Sequence, residues 1–216
     1  MYIAIAGNIG SGKTTLTKML AKHYGWEPRM ESVLQNPYLQ DYYENMSRWS
    51  LNLEVFFLKE RFRDLLKIEK STNTIVQDRS IFEGVHIFAA NNHEMGNMSD
   101  RDYETYMGLF DSMMMVARQP DLMVYLRSTV PHLVENIHRR GRDYEQNIQL
   151  DYLKNLNNRY EDFIMNKYTG RTLVIDVDNL NFLYSREDFA SIIKRIDEEL
   201  AALQNISNTL FGDTLR

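Results

Sequence analysis

The sequence predicts an α/β fold, a three-layer sandwich in which helices cover both faces of a parallel β-sheet. Two observations carry this prediction. Short, nearly continuous apolar runs recur along the chain, as in strands that are covered on both faces. Longer amphipathic stretches separate these runs, and strands that alternate with helices pair in parallel.

The predicted elements alternate along the whole chain. The apolar runs predict strands at residues 2–6, 27–30, 74–78, 121–127 and 172–177, of which 27–30 has the weakest pattern. The amphipathic stretches predict helices at residues 14–24, 48–70, 100–118, 129–140, 150–167 and 186–205. Residue types at the helix ends agree with these bounds, since Gly25 stops the first helix, Ser99 can cap the third, and Pro120 follows it.

Length and composition limit the class of protein. The chain has 216 residues, of which 44% are hydrophobic, without repeats or a Pro/Gly-rich linker, so residues 1–216 are expected to form a single domain. The formal net charge of −5 argues against an extended nucleic-acid surface, and the absence of cysteine excludes disulfides and thiol nucleophiles. Since no window is long and apolar enough to span a bilayer, we expect a cytoplasmic protein that binds neither membranes nor nucleic acid polymers.

A phosphate-binding motif follows the first predicted strand. The stretch "GNIGSGKTT" completes G-x-x-x-x-G-K-[ST] and opens a helix, which is the context of a P-loop and predicts a P-loop NTPase-like fold with bound ATP. Its glycines allow backbone N–H groups to surround phosphate oxygens, Lys13 can reach the β- and γ-phosphates, and Thr14 can contribute to a Mg²⁺ site. The predicted ATP-binding residues here are Gly7, Asn8, Ile9, Gly10, Ser11, Gly12, Lys13, Thr14 and Thr15.

Charged residues end two other predicted strands. Asp78 and Arg79 end the third strand, and Glu31 ends the second. Ligands of open parallel sheets collect at the carboxyl ends of the strands, so these side chains are expected beside the P-loop. There Asp78 can bind Mg²⁺, Arg79 can neutralise charge on a phosphoryl group in transfer, and Glu31 can accept a proton from an attacking hydroxyl.

The densest basic run, "HRRGRDYE", lies between two predicted helices. Such a run is often only a solvated face. Beside a P-loop we interpret it as an Arg-rich lid at about residues 138–147 that closes over ATP, because phosphoryl transfer depends on positioning, charge stabilisation and the exclusion of water.

At this point the sequence resembles the deoxynucleoside kinases, in particular the bacterial deoxyadenosine/deoxyguanosine kinase group. The resemblance covers nearly the whole chain in order and rests on the P-loop, Glu31, "YYENMSRWSLNLEVFFLKERF" (42–62), "DRSIFEGVHIFA" (78–89), "YLR" (125–127), the lid and "VIDVDNLNF" (174–182). It implies a five-stranded parallel sheet in the order 2-3-1-4-5, ATP-dependent phosphorylation of a deoxyribonucleoside 5′-hydroxyl in nucleotide salvage, and a homodimer packed through long helices.

The resemblance also implies roles for individual residues. Glu31 matches the general base, and Arg79 matches the arginine near the 5′-oxygen and the phosphates. With Lys13 of the P-loop they form the predicted catalytic set. Asp78 matches the acidic residue beside Mg²⁺. Tyr43 and Glu145 match the pair that holds the sugar 3′-hydroxyl. The remaining donor contacts are implied for the lid arginines and for the segment that passes the donor adenine, namely Arg140, Arg142, Asp176 and Asp178.

The sequence departs from the family pattern in the base pocket. Glu54 stands where the family has a glutamine, and Gly84 stands where it often has an aspartate that partners the arginine matched by Arg61. Glu54 and Arg61 share one helix face, so we expect Glu54 to replace the lost partner and pair with Arg61. An ionised Glu54 only accepts hydrogen bonds and would favour bases that present N–H donors. Phe82 is the predicted stacking residue.

Two other interpretations stay open from the sequence. A thymidylate-kinase-like nucleoside monophosphate kinase would share the P-loop, an Asp-Arg strand end and an Arg lid, but Glu31 favours an acceptor hydroxyl that needs deprotonation. A catalytically silent nucleotide-binding relative is the other, and the intact Lys13, Glu31, Asp78 and Arg79 argue against it. Purine deoxynucleosides are the favoured substrates, with the choice between adenine and guanine open.

Overall fold

The computed structural model describes the backbone of residues 1–31, 35–142, 145 and 148–212, and the side chains of these residues up to Asn205. The strands are β1 (Tyr2–Gly7), β2 (Glu27–Arg29), β3 (Ile75–Asp78), β4 (Leu122–Arg127) and β5 (Thr172–Asp176). The helices are α1 (Lys13–Tyr24), α2 (Leu39–Glu44), α3 (Met46–Lys70), α4 (Ile81–Glu83), α5 (Ala90–Glu94), α6 (Asp100–Met114), α7 (Val130–Arg140), α8 (Leu150–Asp162) and α9 (Arg186–Gly212). Two π-helical segments, Gly84–Ala89 and Phe163–Lys167, join α4 to α5 and extend α8.

All strands pair in parallel in the order β2-β3-β1-β4-β5. Ile5 of the central strand lies opposite Asp78 of β3 on one side and Val124 of β4 on the other. Because the strands run the same way, their carboxyl ends share one edge of the sheet, where ligands of open α/β folds bind. The predicted parallel sheet and its strand order are confirmed.

Successive side chains along the strands point to opposite faces of the sheet and pack into two separate hydrophobic cores. Tyr2 and Ala4 of β1 pack with residues of α3, α6, α8 and the α4–α5 region on one face of the sheet. Ile3 and Ile5 pack with residues of α1 and α9 on the other face. This period-two alternation buries both faces of the sheet, which confirms the predicted three layers.

Two helical regions were missed by the sequence prediction. Helix α2 has only six residues, too few to show a periodicity. The α4–α5 region contains a π-helical turn, which lengthens the helical period and interrupts the apolar pattern. The predicted helix ends also shift, since α6 stops at Met114 and α9 continues to Gly212.

No helix in the described part of the chain combines the length and the hydrophobicity that a membrane crossing requires.

Leu16 of α1 provides a test of the second core, because its side chain is fully buried against the sheet. We expect Leu16→Ala to lower the free energy of unfolding by about 2–5 kcal/mol, because it removes apolar contact and leaves a cavity. Urea denaturation followed by circular dichroism measures this loss. Leu183→Ala, at a side chain that is 53% exposed, is the matched control, with an expected change within about 0.5 kcal/mol. Equal losses would contradict the packing of α1 on this face.

Candidate active site

A cavity of about 300 Å³ lies at the carboxyl edge of the sheet. It brings together side chains of the P-loop, the ends of β2 and β3, helix α3 and the lid. Its lining includes Ile9, Lys13, Thr14, Glu31, Tyr42, Tyr43, Glu54, Phe57, Arg61, Asp78, Arg79, Phe88, Arg140, Arg142, Glu145 and Tyr152. Most of the predicted catalytic and substrate-binding residues therefore share one cavity.

The loop between β1 and α1 has a backbone that only glycine adopts readily. Gly10 and Gly12 have φ values of 88° and 92°, in the left-handed region. A Cβ on Gly10 would lie 2.7 Å from the carbonyl oxygen of Leu133, and one on Gly12 would lie 2.9 Å from the Phe182 ring. The loop leads directly into α1, whose first N–H groups have no partner within the helix and favour an anion.

Hydrogen bonds of the Asn8 and Lys13 side chains to backbone groups stabilise the P-loop. The Asn8 side chain donates to the carbonyl oxygen of Leu153 at 3.2 Å and accepts from the Ile9 N–H at 2.8 Å. Lys13 Nζ donates to the Asn8 carbonyl oxygen at 2.8 Å. Burial, assisted by the nearby positive charge of Arg79, lowers the pKa of Lys13 to about 8. A bound phosphate would restore the missing counter-charge and hold this ammonium in its charged form.

Asp78 and Thr14 fit a Mg²⁺ site. The Thr14 hydroxyl donates to Asp78 Oδ2 at 2.6 Å. Asp78 Oδ1 is buried and has no hydrogen-bond partner among the described residues. Burial raises the pKa of Asp78, although Lys13 opposes the shift. Mg²⁺ is usually held by one or two protein oxygens together with substrate phosphates, so an unpartnered carboxylate oxygen beside a P-loop suits it.

Glu31 lies between two arginines. Its Oε1 is 2.6 Å from Arg61 Nη2 and 3.0 Å from Arg79 Nε. Burial by itself would raise the pKa of Glu31, but the positive charges of Arg79 and Arg61 outweigh it and lower the pKa to about 2. Glu31 is therefore an ionised carboxylate at neutral pH.

Arg79 adopts a backbone conformation that is uncommon for a residue with a side chain. Its φ is 69°, and such strain persists only where surrounding contacts impose it. Here its Nη1 donates to the Tyr160 hydroxyl at 2.7 Å, and its guanidinium lies 4.3 Å from the centre of the Phe88 ring. These contacts direct the guanidinium from the end of β3 into the cavity.

Glu83 is a buried residue that contacts the P-loop and the end of β3, and it was not among the predicted site residues. Its fully buried carboxylate accepts from the N–H of Ser80 at 2.7 Å, from the N–H of Gly7 at 3.2 Å and from the Tyr160 hydroxyl at 2.9 Å. It therefore ties the start of the P-loop to the end of β3. A glutamate three residues after a serine is a helix-start signal that could have indicated the Ser80 contact.

The lid arginines converge on Glu145. Arg140 Nε donates to Glu145 Oε2 at 3.0 Å, and Arg142 Nη1 donates to Glu145 Oε1 at 3.3 Å. Tyr43 lines the same cavity. Residues 143, 144, 146 and 147 of the predicted lid lie outside the described residues.

The predicted Glu54–Arg61 ion pair is wrong. Arg61 pairs with Glu31, whereas Glu54 Oε1 accepts a hydrogen bond from Asn92 Nδ2 at 3.1 Å. A Cβ on Gly84 would lie 2.6 Å from Arg61 Nη1, so this glycine leaves room for the guanidinium to turn towards Glu31. Burial raises the pKa of Glu54 to about 8, although Arg61 and Arg79 act in the opposite direction, and this favours the neutral form near neutral pH over the ionised form expected from the sequence.

The predicted stacking role of Phe82 is not supported by its position. Phe82 packs in the core against Phe110 and Tyr168 and is absent from the cavity lining. Phe57 and Phe88 line the cavity instead. The side chain of Phe82 leaves the first turn of α4 on the core side, a direction that strand-end spacing alone does not reveal.

Asp176 and Asp178 line a second cavity, of about 350 Å³, beyond the ends of β4 and β5. Asp178 Oδ1 accepts from the Ser128 hydroxyl at 2.7 Å and from the Thr129 N–H at 3.0 Å, and so caps α7. Asp176 lies 3.5 Å from Arg127. A contact of either aspartate with the donor nucleotide stays a prediction.

Comparison with known proteins agrees with this geometry. Residues 3–201 match the family model described as "Deoxynucleoside kinase". The chain is 36% identical to the deoxyadenosine/deoxycytidine kinase of Bacillus subtilis, covering 90% of each chain, and 34% identical to the deoxyadenosine kinase of Dictyostelium discoideum, covering 98% of this chain and 85% of the relative. The solved structure of the M. mycoides deoxyadenosine kinase with bound dATP superposes with a TM-score of 0.81 at 28% identity, covering 91% of this chain and 99% of that one.

The chain belongs to the deoxynucleoside kinase family. It is a phosphotransferase that uses ATP to phosphorylate deoxynucleosides. The comparisons favour this assignment over the thymidylate-kinase-like alternative.

The raised pKa of Glu54 predicts a pH-dependent stability. Above the ordinary carboxyl pKa of 4.5 the unfolded chain loses this proton, whereas the folded protein keeps it up to about pH 8. Across this window the group lowers the free energy of unfolding as pH rises, by at most about 1.4 kcal/mol per pH unit. Glu54→Gln removes this titrating group. The free energy of unfolding of the variant, relative to that of wild type, should therefore increase as pH rises from 4.5 to about 8.

Urea denaturation of both proteins at several pH values measures this difference. Glu104→Gln, at an exposed residue of α6, controls for the loss of a surface carboxylate. The free energy of unfolding of Glu54→Gln minus that of wild type is the decisive quantity. If this difference stays constant or falls as pH rises, Glu54 is ionised in the folded protein.

Proposed function

We propose that this protein transfers the γ-phosphoryl group of ATP to the 5′-hydroxyl of a purine deoxyribonucleoside in nucleotide salvage. The observation that carries the proposal is the position of Glu31, an ionised and buried carboxylate in the same cavity as Lys13 and Asp78. A hydroxyl acceptor needs a base beside the transferring phosphoryl group. Relatives named as deoxyadenosine and deoxyadenosine/deoxycytidine kinases support the substrate class.

In this reaction the bond between the γ-phosphorus and its bridging oxygen breaks, and a bond to the sugar 5′-oxygen forms. Glu31 takes the proton of the 5′-hydroxyl. Lys13 contacts the β- and γ-phosphate oxygens, and Arg79 places positive charge beside the transferring group. Thr14 and Asp78 would hold Mg²⁺, which would supply positive charge that neutralises the phosphates during transfer.

The lid couples the two substrates in this proposal. Tyr43 and Glu145 hold the sugar 3′-hydroxyl, while Arg140 and Arg142 contact the donor phosphates. The ion pairs of both arginines with Glu145 support the coupling, because movement of the arginines onto the donor would also position the acceptor-binding carboxylate. Asp176 and Asp178 belong to the segment that passes the donor adenine.

We also propose a cytoplasmic homodimer packed through the long helices. Apolar side chains that stay partly exposed on two of these helices support the interface, namely Val55 and Leu66 on α3 and Leu109 on α6.

Replacing Glu31 tests its role as the base. Glu31→Gln keeps the shape and the hydrogen-bond acceptor but cannot take the proton, so we expect kcat to fall about 10²- to 10⁴-fold. The dissociation constant of ATP should change by less than about threefold, because only an interaction of the transition state is lost. Steady-state kinetics with deoxyadenosine and ATP-binding calorimetry measure the two effects.

Glu27→Gln is the control for Glu31→Gln, because Glu27 lies on β2, the strand that precedes Glu31, and its side chain pairs with Arg29. Comparable losses of turnover and ATP affinity in Glu31→Gln would mean that Glu31 supports the structure only.

An acceptor panel of the four deoxynucleosides together with dAMP and dTMP tests the substrate class, and preferential phosphorylation of a monophosphate would overturn the proposal.

Replacing Asp78 tests the metal site. Asp78→Asn removes the negative charge at the unpartnered oxygen, so we expect the Mg²⁺ concentration for half-maximal rate to rise about tenfold and kcat to fall about 10²-fold. Initial rates against free Mg²⁺ measure both quantities. Thr14→Ser keeps the neighbouring hydroxyl and is the control. An unchanged Mg²⁺ requirement in Asp78→Asn would place the metal elsewhere.

A further inference from the structure

Glu54 is a buried carboxyl group in the cavity at the carboxyl edge of the sheet, and the proposed phosphoryl transfer does not use it. It is 2% exposed and lies on α3. Charged and titratable groups from several elements face it, together with one amide. They are Arg61 on its own helix, Glu31 after β2, Arg79 after β3, Tyr42 on α2, Asn92 on α5, Tyr106 on α6 and Tyr152 on α8.

The two nearby cations are engaged elsewhere. Arg61 and Arg79 lie 2.6 Å and 3.0 Å from Glu31, and within the described ranges no ion pair involves Glu54. A carboxyl group buried without a paired cation favours its neutral form. In keeping with this geometry, burial raises the pKa of Glu54 to about 8 against the opposing effect of both arginines.

Asn92 determines which oxygen of Glu54 carries the proton. The Tyr42 hydroxyl donates to Asn92 Oδ1 at 2.8 Å, so the amide NH₂ of Asn92 points to Glu54 and donates to its Oε1 at 3.1 Å. An oxygen that accepts in this way acts as the carbonyl of a neutral carboxyl group, and Oε2 is left with the proton. Glu54 can then donate from Oε2 and accept at the second lone pair of Oε1.

We propose that Glu54 selects the base as a neutral acid, by donating from Oε2 to a ring nitrogen and accepting at Oε1 from the adjacent amino group. Adenine N1 with its 6-amino group presents this pattern, as does cytosine N3 with its 4-amino group. In the same pose guanine would oppose its N1–H to the Oε2–H and its O6 to Oε1, so it is disfavoured. The inference rests on the proposed function, because a 5′-hydroxyl at Glu31 leaves the α3 end of the cavity for the base.

The proposal makes base preference depend on pH. An ionised Glu54 can only accept hydrogen bonds. It can therefore no longer donate to adenine N1, but it can accept from the N1–H and 2-amino groups of guanine. We expect the deoxyadenosine-to-deoxyguanosine ratio of kcat/KM to fall about tenfold between about pH 7 and about pH 9, because only about a tenth of an acid stays protonated one unit above its pKa. Binding calorimetry of both nucleosides should show the same trend.

Glu54→Gln is the matched control, because its amide donates at every pH while Lys13, the other titrating groups and the substrates are unchanged. We expect its ratio to vary less than about twofold over the same range. With wild type near pH 7, 1-deaza-2′-deoxyadenosine, which lacks the N1 acceptor, should lose about tenfold in kcat/KM.

A flat wild-type ratio, equal slopes in both proteins, or full activity with the deaza nucleoside would each overturn the neutral-acid proposal. Phosphorylation of any deoxynucleoside in these assays would still support the proposed function. If no acceptor is phosphorylated, the proposed function fails, and the pH dependence of nucleoside binding still decides the role of Glu54.

Discussion

The ion pairs of Glu31 with Arg61 and Arg79 are the central charge interaction of the cavity at the carboxyl edge of the sheet. Inside a protein a charge needs an opposite charge in contact with it, and removing one partner leaves the other uncompensated. Here two guanidinium groups share one carboxylate, which keeps Glu31 ionised. The same arrangement leaves Glu54 without a paired cation, and burial raises the pKa of that carboxyl group to about 8. The states of the proposed base and of the proposed base-reading residue are thus consequences of a single cluster.

The fold supports this cluster through a second buried network. Glu83 accepts hydrogen bonds from Gly7 in the P-loop, from Ser80 after β3 and from Tyr160 on α8, and Tyr160 in turn receives one from Arg79. The P-loop and the end of β3 therefore share one buried hydrogen-bond network. Phosphoryl transfer depends on positioning more than on covalent chemistry, so a shared support of this kind is where a kinase gains rate.

The departures at positions 54 and 84 are linked through Arg61. Without a side chain at Gly84, Arg61 turns to Glu31, and the glutamate that replaces the family's glutamine is then free to hold a proton. A neutral carboxyl group and a primary amide present the same donor–acceptor pattern. In our proposal the change from glutamine to glutamate therefore conserves recognition near neutral pH and adds sensitivity to pH.

Local sequence determined the parallel sheet, the P-loop and the strand-end positions of Glu31, Asp78 and Arg79, because these depend on short-range patterns and on the rule that parallel strands end at one edge. Motif resemblance supplied the strand order. Only the tertiary structure decided that Arg61 pairs with Glu31, that Asn92 reaches Glu54, and that Phe82 faces the core. Partners and protonation states of buried groups depend on burial and on charges brought in from distant elements, which spacing along the chain does not encode.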